Sequence, residues 1–146
     1  MPKTIQIIHD YAVPPKKLWD LVTDYDALEQ VMKGIVSYTG TPSGQLQAGQ
    51  KMDIEVSLFG RLPKQPYYME VVSCNHDQMI AQSFERGAGV KSWRHNMHVT
   101  PTKTGSRLTD TIEIDAGLMT PIFVLWARFI YKARHKPRLR LLGLGE

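Results

Sequence analysis

The sequence predicts an α+β fold: a curved antiparallel sheet of about seven strands wrapped on one long C-terminal helix, with two short helices after the first strand. Three observations predict it. A strand-like segment, Thr4 to Val13, runs into a helix opened by Pro14-Pro15. About 80 residues of short alternating segments and turn residues follow. From about Pro121 to near Leu142 the apolar residues return at helical spacing. A helix with one apolar face needs a partner surface, and the sheet is the surface available.

Each element has its own markers. Ile5 and Ile7 alternate with Thr4 and Gln6 in the first strand. Proline fits a helix's first turn, so Pro14-Pro15 stops the strand and starts the helix, with Leu18, Leu21 and Val22 inward and Trp19 beside them. Asp24 to Met32 forms the second helix, ended by Gly34. Strands are then expected at Ile35–Thr39, Lys51–Phe59, Pro66–Cys74, Gln78–Phe84, Ser92–Thr100 and Arg107–Asp115. The links are short and rich in Gly, Pro and Asn, as in an antiparallel meander. Thr120 is the expected N-cap of the last helix, whose apolar face is read as Ile122, Leu125, Trp126, Phe129, Ile130 and Ala133. Pro137 should kink or end this helix near Lys136.

Composition narrows the class. A chain of 146 residues with 42% hydrophobic and 22% charged residues suits one globular domain, 1–146, with its own core. The lone Cys74 excludes an internal disulfide and fits a reducing compartment; with no signal-peptide pattern, the expectation is a cytoplasmic protein. Neither a metal nor a cofactor is expected: His95 and His98, three apart on a strand, face opposite ways. Cys74 is placed on the outer face of its strand, with no base nearby, and is read as inert.

The segment Ala12-Val-Pro-Pro-Lys-Lys-Leu-Trp-Asp-Leu-Val-Thr-Asp-Tyr-Asp-Ala-Leu28, together with Thr109-Asp110-Thr111-Ile112-Glu113 in the last strand, resembles the START-like (SRPBCC) superfamily, in the branch named for polyketide cyclases, dehydrases and lipid transport. The resemblance covers nearly the whole chain. It implies the helix-grip (Bet v 1-like) fold and an apolar cavity between sheet and terminal helix. Lipid carriers, hormone receptors, cyclases and chaperone partners share that fold, so it does not choose the chemistry. Three functions stay open. The first is binding or transport of a hydrophobic small molecule or lipid. The second is a cyclase/dehydratase-like enzyme, and the third is a protein-interaction module with a vestigial cavity.

Face assignment supplies candidate residues. Asp110 shares a face with Leu108, Ile112 and Ile114, and His95 shares one with Trp93, Met97 and Val99. A tight turn at Thr102–Gly105 would pair Met97 with Asp110 and set His95 diagonal to it, within side-chain reach. A buried carboxylate needs a partner, and His95 is the natural one. The readings, in order, are a purely structural contact or a solvated carboxylate near the sheet rim, then a ligand anchor, then a catalytic acid and base. The expected cavity lining is Val56, Leu58, Tyr67, Met69, His95, Met97, Asp110, Ile112, Phe123, Trp126 and Ile130. Leu62, Pro63, Gly87 and Gly89 are the expected mouth.

Past Thr120 lie six Lys/Arg residues and a single acid, Glu146. This basic segment reads as a solvated outer face, or as a contact with an anionic membrane through Arg138 and Arg140. Nucleic acid is not expected, because no exposed aromatics interleave the charges.

Overall fold

The computed structural model describes residues 2–145. Strand β1 (Lys3–Tyr11) is followed by α1 (Pro15–Val22) and α2 (Tyr25–Val31). Then come β2 (Val36–Thr39), β3 (Lys51–Leu58), β4 (Gln65–Asn75), β5 (Ile80–Gly87), β6 (Val90–Thr102) and β7 (Gly105–Asp115). A 3-10 turn at Gly117–Met119 leads into α3 (Thr120–Ala133) and α4 (His135–Leu141). All seven strands join one antiparallel sheet in the order β1-β7-β6-β5-β4-β3-β2. Only β1 departs from the meander, crossing over to pair with β7.

The start of the chain folds as its residues dictate. Pro15 opens α1, and Asp24 caps α2 by accepting a hydrogen bond from the Asp26 amide at 3.0 Å. Leu18 and Trp19 are fully buried against β6 and β7. The inner face of β7 alternates without a break: Leu108, Asp110, Ile112 and Ile114 are all inaccessible to solvent. The β6–β7 turn is tight, pairing Thr102 with Gly105, Met97 with Asp110 and His95 with Ile112.

The terminal helix departs from expectation in three ways. Its buried face is Ala127, Ile130, Tyr131 and Arg134, while Ile122, Leu125 and Phe129 are about half exposed or more. Of the expected apolar face, Ile130 is buried and Trp126 and Ala133 partly so, while the other three residues turn towards solvent, because aromatic and cationic side chains with long apolar stems share the interface. Thr120 does not cap the helix. Its hydroxyl accepts from the Ala116 amide and donates to the Gly117 carbonyl, securing the preceding turn. The break falls at Arg134, three residues before Pro137. That is the proline's doing: it has no N–H for the Ala133 carbonyl, and its ring crowds that carbonyl.

Cys74 is also corrected. A β-bulge between Val71 and Ser73 shifts the alternation of β4, pairs Cys74 with Ala81 and turns the thiol inward. His76 stands 3.5 Å away, but that ring accepts from Trp19 and bonds the Leu46 carbonyl, while burial pushes the thiol pKa up. The thiol remains inert, for a different reason.

The rotated helix face is directly testable by urea denaturation. Ala127→Glu should cost about 3 kcal/mol or more, because it buries an unpaired charge. Leu125→Glu should stay within about 0.5 kcal/mol of the parent.

Candidate functional site

Between α2, the sheet and the junction of α3 with α4 lies a cavity of about 100 Å³. At a water's share of roughly 30 Å³ in the liquid, that is room for roughly three waters. Small side chains make the room: Thr23, Ala27, Ala81 and Ser83 stand in its wall. Val31, Met52, Met69, Val71 and Met97 supply apolar surface. Glu85, His95, Tyr131, Arg134 and Arg138 bring polar groups to it.

Of the residues expected to line it, Met69, His95 and Met97 do so. Val56, Ile112 and Ile130 are buried in the apolar core, and Leu58, Tyr67, Phe123 and Trp126 pack against that core. Aromatic side chains close this part of the interface. Trp93 and Tyr131 stack with centroids 6.4 Å apart, and Trp126 meets Phe59 edge-on at 5.8 Å. Leu62, Pro63, Gly87 and Gly89, the expected mouth, do not line this cavity. Gly89, at φ +93°, lies so close to Phe123 that a Cβ there would stand 3.0 Å from the ring. The partly exposed lining residues Leu21, Asp24 and Leu46 gather instead at the α1–α2 junction, where Asp24 bridges to Gln45.

Asp110 stands behind the wall and His95 in it. His95 Nε2 lies 2.6 Å from Asp110 Oδ1. An ionised carboxylate only accepts, so Nε2 donates and Nδ1 is the nitrogen left over. Burial alone would push the Asp110 carboxyl up. The hydrogen bond and charge of His95, with Arg138 and Arg134, outweigh burial and hold it below the usual range. The second oxygen, Oδ2, has no hydrogen-bond partner among the described residues. Tyr67 misses the cavity but donates to Glu85 at 2.7 Å, and burial pushes both groups' pKa values up.

Sequence reasoning missed Glu85 and both arginines. Arg134 and Arg138 are 9% and 4% exposed. Of the two arginines expected at a membrane surface, Arg138 is thus buried, whereas Arg140 is exposed. The four-residue spacing of Arg134 and Arg138 on the same face as Ile130 and Tyr131 was the available signal. Among the described residues, no three His, Cys, Asp or Glu side chains gather as a metal-ligand set. No helix among them is long and apolar enough to cross a membrane.

No family model matches the sequence. No curated protein matches it either. Solved structures do match. The protein CV1439 from Chromobacterium violaceum superposes with a TM-score of 0.74 at 15% identity, over 95% of this chain and 96% of that one. Ara h 8.0201 gives 0.67 at 16% identity, over 92% and 95%. A Rhodobacter sphaeroides protein gives 0.72 at 11% identity, over 96% and 92%. At these identities the likeness is one of fold. The chain adopts the helix-grip (Bet v 1-like) fold.

The two buried carboxyls should respond to pH in opposite directions. Asp110 titrates below its unfolded value of roughly 3.9. Its stabilisation is complete above that value and is lost as pH falls through the lower folded one. Asp110→Asn should cost roughly 1–3 kcal/mol at neutral pH and flatten the acid limb of a melting-temperature profile. Glu85 titrates above its unfolded value of roughly 4.3, so stability falls as pH rises through the folded value. Glu85→Gln should therefore raise the melting temperature at neutral pH and leave it unchanged in acid.

Proposed function

We propose that this protein binds a small, largely apolar molecule in the cavity between α2, the sheet and the terminal helices. One observation carries this reading. Protein interiors are close-packed, yet here about 100 Å³ stays open beside a run of methionines, with a Glu, a His and two Arg at its edge. An apolar pocket with few convergent polar groups is the usual form of a small-molecule site. Methionine side chains adapt to whatever shape arrives.

In this reading His95 is a polar anchor. Asp110 takes Nε2 and fixes the ring, and Nδ1 meets a polar atom of the ligand. The competing reading makes the same pair a base for proton transfer in a cyclase- or dehydratase-like reaction. The two separate experimentally. Native mass spectrometry of the purified protein, with extraction, identifies a retained occupant, and octan-1-ol serves as a neutral probe in an ¹⁵N-detected titration. Saturable shifts on β4–β6 and α2 are expected. Ser83→Leu, which fills the space, should weaken binding about tenfold or more while the fold persists. With an extracted occupant, Asp110→Asn and His95→Ala should each cost roughly 1–3 kcal/mol of affinity and less together than their sum. Binding that survives while turnover of that occupant collapses would favour the enzyme. No saturation, with Ser83→Leu silent, would leave an interaction module with a vestigial cavity.

A second observation concerns the outer surface. Leu118, Ile122, Leu125 and Phe129 form an exposed apolar stripe along the terminal helix, with Phe59 and Leu62 nearly half exposed in the β3–β4 loop. Arg128, Lys132 and Lys136 continue the helix's outer face, also exposed. An apolar stripe with a basic flank fits the surface of an anionic bilayer. The membrane contact proposed from this surface uses Leu62 and that stripe, not Arg138. Co-sedimentation with phosphatidylglycerol-containing vesicles is expected, weakened by salt and abolished by Leu125→Glu with Phe129→Glu. Equal binding to pure phosphatidylcholine, or a dimer in solution that the same substitutions disperse, would overturn it.

A further inference from the structure

The cavity holds more hydrogen-bond donors than the protein satisfies. Arg134 and Arg138 both line it, and both are more than nine-tenths buried. No Arg134 or Arg138 nitrogen lies within 4.0 Å of a carboxylate oxygen among the described residues; the ion pairs there are Lys16–Asp20, Arg94–Glu113, His95–Asp110 and Arg107–Asp10. Arg134 Nε reaches only the Met32 sulfur, at 3.1 Å, and its guanidinium lies 4.3 Å from the Tyr131 ring centroid. Arg138 hydrogen-bonds Tyr11, but its Nη1 is buried without a partner among the described residues. A guanidinium cannot shed its proton to escape this cost, as a buried lysine can.

We infer that the cavity is built for a small amphiphile with a carboxylate head, held by Arg134 and Arg138, its hydrocarbon or aromatic body lying against Met52, Met69 and Met97. This rests on the cavity being a binding site. The planar guanidinium fork matches a carboxylate's two oxygens. Asp110 and Glu85 close by favour a monoanion over a dianionic phosphate, because each added negative charge on the ligand meets theirs. An enclosed volume of about 100 Å³ takes the head group and a short stretch of chain, the remainder reaching out past the partly exposed Leu21 and Leu46. A membrane phospholipid is too large for it.

Octanoate and octanamide test the inference, having the same shape and number of non-hydrogen atoms and differing in charge. Titrated at neutral pH into the ¹⁵N-labelled full chain, octanoate should bind about tenfold tighter or more, the usual effect of a charge-assisted hydrogen bond. The Nε–H resonances of Arg134 and Arg138 should shift with octanoate only. Arg134→Met and Arg138→Met should bring the two ligands to within about twofold of each other. Arg138→Lys, which keeps the charge and loses the fork, should retain part of the preference. Equal affinities in the parent protein would overturn the head-group assignment and leave the binding site standing. A preference surviving both methionine variants would overturn it too. If neither ligand nor octan-1-ol saturates the protein, the cavity reading itself fails.

Discussion

Asp110 carries a charge into the middle of an apolar sheet face, and the local architecture is organised around compensating it. Its neighbours on that face of β7 are Leu108 and Ile112, neither of them accessible to solvent. An isolated carboxylate there would cost several kcal/mol or more. The compensation comes from two directions. β6 presents His95 across the hairpin, in direct contact, and the terminal helices bring the positive charges of Arg134 and Arg138 from above. The hairpin register is thereby pinned, since a slip of one residue would move His95 to the other face and strand the carboxylate. The unpartnered Oδ2 shows that this compensation is incomplete within the protein.

The same interface divides into a filled half and an open half, and side-chain size draws the line. In the first half of α3, Phe123 and Trp126 pack with large rings against the core that holds Trp93 of β6. Towards α4, the facing positions on α2 and β5 are Ala27, Ala81 and Ser83, which cannot reach across. The break at Arg134 belongs to this design. An unbroken helix would extend straight on, whereas the turn before Pro137 carries α4 back over α2, and Leu142 ends buried against the α1 cluster. Arg134 and Arg138 flank that break and share its inner side.

How much of this was legible in the sequence follows from which forces act locally. The β6–β7 hairpin could be read residue by residue, because a short turn fixes register and register fixes which side chains meet. The contact between His95 and Asp110 needed nothing more. Pro14-Pro15, Asp24 and the Gly-marked turns act within a few residues, and those elements fall where the sequence places them to within two or three residues. The helix rotation was not legible. Counting apolar residues at helical spacing selects Ile122, Leu125 and Phe129 along with Ile130, yet the interface takes Ile130 together with Ala127, Tyr131 and two arginines. Only tertiary context makes a guanidinium an inward group. The bulge in β4 was equally hidden, since one extra residue inverts the face of Ser73 and Cys74 without any glycine or proline to mark it.

Rotating the helix in this way is costly for stability twice over, and that cost bears on function. Leucine, isoleucine and phenylalanine are left in water on the outer face, while two guanidiniums are taken out of it. A sequence shaped only for folding would exchange these sets, since large apolar side chains in the open half would close the void and release the buried charge. Sites kept against stability in this fashion are where binding or catalysis is generally found. The apolar stripe and the charged cavity are then two sides of one choice. Each face of the terminal helix carries residues that the fold alone does not need.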